Sequence, residues 1–161
     1  MTEQQTAMVP AGFERLPTGL GFTDTLQPVY RRHESQWPEF GLVVEPQHGN
    51  MMGICHGAVI MCLADITAAS GVNTAAGKGA GSPTINLSLD FIAAGRLGQW
   101  IHSTIDHVTV RRRFGFCSGV INGPGGLLAR FNGTFYLPDH DGVWKSPRRE
   151  ADGILGTLPG E

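Results

Sequence analysis

Asp65 is the only Asp, Glu, Lys or Arg between Pro46 and Gly77. Burying a carboxylate in apolar surroundings is costly unless it is paired or hydrogen-bonded. The residue therefore either ties down a neighbouring backbone group or belongs to a functional site, where perturbed carboxylates are enriched. The loop His48-Gly49-Asn50-Met51-Met52-Gly53-Ile54-Cys55-His56-Gly57 precedes it and feeds into the same run. The first N–H groups of a helix lack internal acceptors, and the helix dipole adds partial positive charge there. With no side chain to block approach, the Gly57 N–H could receive the oxygen of a polarised carbonyl. Asn50 and His56 offer hydrogen-bonding groups around the same point. Taken singly, Asn50 reads equally as a loop residue, His56 as a helix cap and His48 as an exposed side chain.

Gly57 and Asp65 stand eight residues apart, or ~12 Å along a helix at ~1.5 Å per residue. One carbonyl cannot touch both within one chain. If they act together, one must come from a second subunit whose helix runs antiparallel nearby. The expectation is a homodimer with shared active sites.

The elements that must position these residues can be read from hydrophobic periodicity. Ile54 to Ala76 is apolar nearly all round and too long for a strand, so it is expected to be a core helix that ends at Gly77 and Gly79. Before it, Phe13 to Leu20 is expected to hold a short turn of helix. Leu26–Glu34 and Phe40–Glu45 read as strands joined by Ser35-Gln36-Trp37-Pro38, and Pro46 to Gly53 reads as a loop. After it come four strands. In the first, Thr84 to Phe91, the residues Ile85, Leu87, Leu89 and Phe91 alternate with Thr84, Asn86, Ser88 and Asp90. Gly95 to Gly98 is a turn, Gln99 to Arg112 a long curved strand, and Phe114–Asn122 and Leu127–Leu137 a hairpin. The fold class is α+β: an antiparallel sheet of five to six strands wrapped around one long central helix. The domain is expected over residues 13–138, with 1–12 frayed and 139–161 a polar tail.

The chain has 161 residues and a formal net charge of −2. That balance argues against general nucleic-acid binding. Its 23 glycines point to tight turns and close backbone approaches. Cys55, Cys62 and Cys117 form no CxxC pair or metal spacing and read as reduced thiols, Cys55 and Cys62 buried, in a cytoplasm. No metal or other cofactor is expected. No signal peptide is visible, and no run reaches ~18 consecutive apolar residues, so no membrane span is expected.

His48, Asn50, Gly53, His56 and Gly57, in the spacing H-x-N-x-x-G-x-x-H-G and followed by Leu63-Ala64-Asp65, resemble the PaaI-like (phenylacetate-pathway type) thioesterases of the hotdog superfamily. The resemblance runs from about Gly41 to Leu137. It implies hydrolysis of acyl-CoA thioesters by a hotdog dimer, often paired into a tetramer. It also implies Asp65 as general base or nucleophile, Gly57 as oxyanion donor, Asn50 positioning the carbonyl or water, His56 supporting the loop or carbonyl, and Thr84 holding the attacking water. Two departures stand out. Ala58 replaces the usual second glycine, and Arg111-Arg112-Arg113 lacks the glycine usual in that turn. Arg111 and Arg113 could meet the CoA phosphates through their planar donors or form a solvated turn. Met51, Met52, Met61 and Phe91 are candidates for the acyl lining. The rival functions are acyl-thioester hydration or dehydration, and acyl-CoA binding without catalysis.

Overall fold

In a computed structural model, residues 8–79 and 81–139 are described. Most of the N-terminal stretch expected to fray, up to residue 7, and the C-terminal tail from residue 140 lie outside the described residues. Helix α1 spans Gly57–Ala76. It starts after His56 and closes at Gly77, whose φ of 64° places it in the left-handed region that glycine adopts without a Cβ penalty. The Gly77 N–H returns to the carbonyls of Asn73 and Thr74.

Around α1 curves one antiparallel sheet of seven strands. They are β1 (Glu14–Arg15), β2 (Tyr30–Arg32), β3 (Glu39–Val43), β4 (Thr84–Phe91), β5 (Trp100–Arg111), β6 (Phe114–Gly123) and β7 (Gly126–Tyr136). Their order across the sheet is β1-β2-β3-β5-β6-β7-β4. The helix packs against β3, β4, β5, β6 and β7. Leu63, Ala64, Ala68 and Val72 on α1 are buried against Phe40, Leu42, Ile101, Ile121, Phe131 and Phe135 from the strands. By length and composition α1 could cross a membrane. Its burial against five strands instead explains why it is apolar nearly all round.

Two glycines set how closely helix and sheet approach. A Cβ at Gly71 would stand 2.3 Å from Ile105 Cδ1, and one at Gly115 would stand 2.2 Å from Val72 Cγ1. The helix sits in the sheet at these two points because neither residue has a side chain.

The main departures from expectation lie at the N-terminal end. Phe13–Leu20 holds no helix; Glu14 and Arg15 pair with Arg31 and Tyr30 as an added strand. The expected strand from Leu26 shrinks to Tyr30–Arg32, and Leu26 instead ends a 3₁₀ turn over Gly21–Leu26. Asp24 stabilises that turn by accepting hydrogen bonds from the N–H groups of Gly19 (2.8 Å) and Leu20 (3.2 Å). On the outer face of the sheet, Phe13 meets Trp100 edge-on at 4.9 Å and Arg32 lies over the Phe13 ring at 4.5 Å. The segment is therefore held by aromatic contacts on the far side of the sheet, which strand periodicity does not encode. The helix begins three residues later than expected, because Ile54 and Cys55 bridge to Arg96 and Gly49. Pro46–His48 forms a 3₁₀ turn within the expected loop.

Candidate active site

Asp65 lies on the side of α1 that the sheet leaves open. Ala58 and Met61 are exposed, and Cys62, Asp65, Ile66 and Ala69 are half-buried; together they form a stripe at helical spacing. Asp65 Oδ1 accepts a 2.7 Å hydrogen bond from Thr84 Oγ1. Simple alternation would put Thr84 on the opposite face from Leu87 and Leu89. A β-bulge prevents this. Thr84 pairs with Phe135 and Asn86 with Thr134, so Ile85 is an extra residue on β4. A one-residue insertion switches side chains to the other face. Thr84 thereby turns toward the helix, and Ile85, expected on the buried face, is 55% exposed.

The loop before α1 is fixed by its own polar groups. Asn50 Oδ1 accepts from the Met52 N–H at 2.9 Å and more distantly from that of Ile54 at 3.4 Å. The Asn50 side-chain NH₂ has no partner among the described residues. His56 is the N-cap, and its Nδ1 accepts from the Ala58 N–H at 3.0 Å. In the neutral ring the proton then sits on Nε2, which is free to donate outward. The Gly57 N–H has no acceptor among the described residues. A Cβ at Gly57 would meet the Phe91 ring at 3.4 Å, so Phe91, 53% exposed, stands beside the helix start.

His48 is buried, at 1% exposure, and not exposed as its place in a loop suggests. Its Nδ1 accepts from the Glu45 N–H at 3.0 Å, and its Nε2 faces the Leu26 carbonyl at 2.9 Å. Nε2 therefore carries the proton and donates. The His48 carbonyl accepts from the His56 N–H at 2.8 Å. One residue thus links the 3₁₀ turn of 21–26 to the helix cap. The Glu45-x-x-His48 spacing, a capping box, was the sequence signal for part of this.

Asp65 opens into a cleft of about 370 Å³ lined by Phe22, Thr23 and Leu26 of the 3₁₀ turn, Met61, Cys62 and Ile66 of α1, and Leu87 of β4. Of the four residues expected to line the acyl site, only Met61 is here. Met51 and Met52 project from the loop, 103% and 77% exposed, and Phe91 lies at the Gly57 end. Phe22 and Leu26 carried no sequence signal, because their approach to α1 depends on the turn that His48 holds. Cys62 is half-buried, so the reading of Cys55 and Cys62 as buried thiols holds fully for Cys55 alone. Burial, and after it the charge of Asp65, raises the Cys62 thiol above the ordinary range. Burial pushes Cys55 up to about 11; burial and then Asp106 push Cys117 up to about 12. Among the described residues no group of His, Cys, Asp and Glu could hold a metal ion.

The structure therefore pairs Asp65 with Thr84, and Gly57 with Phe91 and the His56 cap, in two groups; Asn50 stays within its own loop, on the Met52 and Ile54 N–H groups. Arg111 and Arg113 join neither. Arg112 occupies the usual glycine position of the β5–β6 turn with φ 54°. Arg113 is tied to Tyr136 Oη at 3.0 Å and to Asp139, and a guanidinium nitrogen of Arg111 reaches the Val110 carbonyl at 3.3 Å.

The Thioesterase superfamily model matches residues 52–123. A Pseudomonas aeruginosa protein named "Putative esterase PA0474" is 30% identical over 135 residues, which cover 81% of this chain and 98% of that one. Three solved structures share the architecture. Zebra fish thioesterase superfamily member 2 has a TM-score of 0.67 and 22% identity, over 75% of this chain and 89% of that one. A mutant of the phenylacetic acid degradation protein PaaI from Thermus thermophilus has a TM-score of 0.62 and 21% identity, over 68% and 93%. A hypothetical thioesterase of Streptococcus pneumoniae, solved with coenzyme A, has a TM-score of 0.61 and 16% identity, over 77% and 94%. The chain belongs to the thioesterase superfamily, with the hotdog fold of its PaaI-like members.

Proposed function

We propose that the protein hydrolyses acyl-CoA thioesters, with Asp65 as the base that activates water. The observation that carries this reading is the Thr84–Asp65 hydrogen bond at the mouth of an apolar cleft. Thr84 holds Oδ1 and so leaves Oδ2 to accept a proton from water. The water oxygen bonds to the thioester carbon, the carbonyl oxygen becomes an oxyanion received by the Gly57 N–H, and the C–S bond breaks. The proton held on Asp65 passes to the departing CoA thiolate. Asn50, through its free NH₂, and His56, through Nε2, are the further donors offered to the carbonyl. Coenzyme A in the Streptococcus pneumoniae structure supports the choice of thiol.

The reaction needs two chains. β4 is the last strand of the sheet and has no partner on its outer edge among the described residues. Thr84, beside Asp65, is at its start and Phe91, beside Gly57, at its end. A second copy added antiparallel along that edge sets the start of one β4 against the end of the other. Each Asp65 then faces the partner's helix start. The same pairing covers the exposed Ile85, Phe91 and Ile92. The three free thiols suit a reducing compartment, the cytoplasm.

A panel of acyl-CoAs with a thiol-reporting reagent tests the reading. The wild-type protein is expected to release free CoA, and Asp65→Asn to lose roughly 10²- to 10⁴-fold in kcat, the usual contribution of a general base, with an unchanged circular dichroism spectrum. Tight binding without release would make it a binding module, and hydration of a 2-enoyl-CoA a lyase.

A further inference from the structure

Apart from Asp65, the lining of the cleft beside it carries no charge, and its polar groups are the Thr23 hydroxyl and the Cys62 thiol. The phosphates of CoA would need cations there, and the amides of its arm would need several donors and acceptors. Phe22, Leu26, Met61, Ile66 and Leu87 offer neither. They suit uncharged carbon, which gains by leaving water. The volume of about 370 Å³, against ~30 Å³ for a water-sized group, holds on the order of ten heavy atoms. The roof is not loose: Asp24 braces the 3₁₀ turn, and His48 holds the carbonyl of its last residue, Leu26, at 2.9 Å. Phe22, 71% exposed, stands at the cleft's outer edge, while Cys62 lies inside it, one helical turn before Asp65.

We infer that this cleft receives the acyl group of the thioester, an uncharged chain or single ring of medium size, and that Phe22 on the 3₁₀ roof sets the length accepted. The inference rests on the thioesterase reading and narrows it. Chain length is limited by the distance from the carbonyl at Asp65 to Phe22, and branching by the floor at Cys62.

Kinetics over straight-chain acyl-CoAs from acetyl to palmitoyl test it, in the wild type, Phe22→Ala and Cys62→Phe. In the wild type, kcat/KM rises roughly fourfold per added methylene, the increment for one buried CH₂, and stops rising at about eight to ten carbons, where the cleft is full. Phe22→Ala raises the ratio of dodecanoyl to hexanoyl turnover at least about fourfold, and Cys62→Phe lowers the ratio of octanoyl to butyryl turnover as much, one methylene's worth in each case. Ratios that stay constant in both variants overturn the inference. A second readout needs no turnover. Cys62 is the least buried of the three thiols, so its alkylation by iodoacetamide, mapped by mass spectrometry, reports whether the cleft is filled. Octanoate and octanoyl-CoA slow it, and CoA alone does not; equal protection by CoA alone overturns the inference. If octanoate protects Cys62 while no acyl-CoA releases CoA, hydrolysis is refuted and the apolar cleft stands.

Discussion

At the scale of single residues, Asp65 could be found in the sequence because charge is absent around it. Gly57 could be found because it follows a polar loop and opens an apolar run. Thr84 was legible as a residue type only, since its direction depends on the bulge at Ile85, and a bulge leaves no mark in alternating text. The hydroxyl rather than the threonine shape is the feature the proposed chemistry needs. A hydrogen bond to a charged group is worth about 1.5–3 kcal/mol. Thr84→Val should therefore lower kcat about 10- to 100-fold while leaving the thermal midpoint within a few degrees. Thr84→Ser, which keeps the donor, should stay within a few-fold of the wild type. Steady-state kinetics of the pair decide the point: equal losses in both would mean that Thr84 acts by packing. His48 was the opposite kind of residue. It read as an exposed loop side chain, yet it is buried and both ring nitrogens are spent on backbone groups.

At the scale of elements, α1 and β5 to β7 were legible because a single periodicity governs each of them. The segment before β3 was not, because it is shaped by contacts with Trp100 and by His48, both distant in sequence. How α1 is seated shows the same limit. Gly115 falls inside the expected strand Phe114–Asn122 with no mark of its role, and in the sheet it leaves room for Val72. A methyl there would strike a β-branched side chain with little rotamer freedom. Gly115→Ala should cost about 1–3 kcal/mol, the usual penalty for overpacking a core. At Gly71 the obstacle is the end of the Ile105 side chain, which can rotate, and alanine also favours helix. Gly71→Ala should therefore cost less than Gly115→Ala, and urea denaturation of the two variants measures the order.

The outer face of β3 and β5 has its own pH dependence. His102 is half-buried there, with Nδ1 unpartnered among the described residues. Burial lowers its pKa below the ordinary histidine value; Glu39 partly opposes this and Arg32 reinforces it. His33 shifts the same way, through burial and then Arg31. A histidine with a depressed pKa binds protons more readily when unfolded. Its stabilising contribution is complete above the unfolded pKa of about 6.5 and is lost as pH falls through the lower folded value. Urea midpoints should fall between about pH 7.5 and pH 5. His102→Gln should flatten that fall, with His33 accounting for part of what remains; an unchanged slope would remove His102 from the explanation.

At the scale of the whole molecule, the spacing of Gly57 and Asp65 calls for a second chain if the two act on one carbonyl, and that condition is readable before any strand order is known. The order then adds the means, since β4 is both the open edge of the sheet and the strand that carries one half-site at each end. Mixed dimers test this directly. Asp65→Asn disables the acid half, and Gly57→Val obstructs the oxyanion half, so each variant alone should be nearly inactive. In a mixed dimer, one site combines the intact Gly57 of one subunit with the intact Asp65 of the other, and the second site carries both defects. Random co-assembly makes about half of the dimers mixed, and each has one of its two sites whole. Activity should return to about a quarter of the wild-type value per subunit. A site contained within one chain predicts no recovery, because every chain then carries a defect. Co-expression with two affinity tags, purification of the doubly tagged species and measurement of CoA release separate the outcomes. The doubly tagged dimers alone should reach about half of wild-type activity, a value that neither a monomer nor a dimer with self-contained sites can produce.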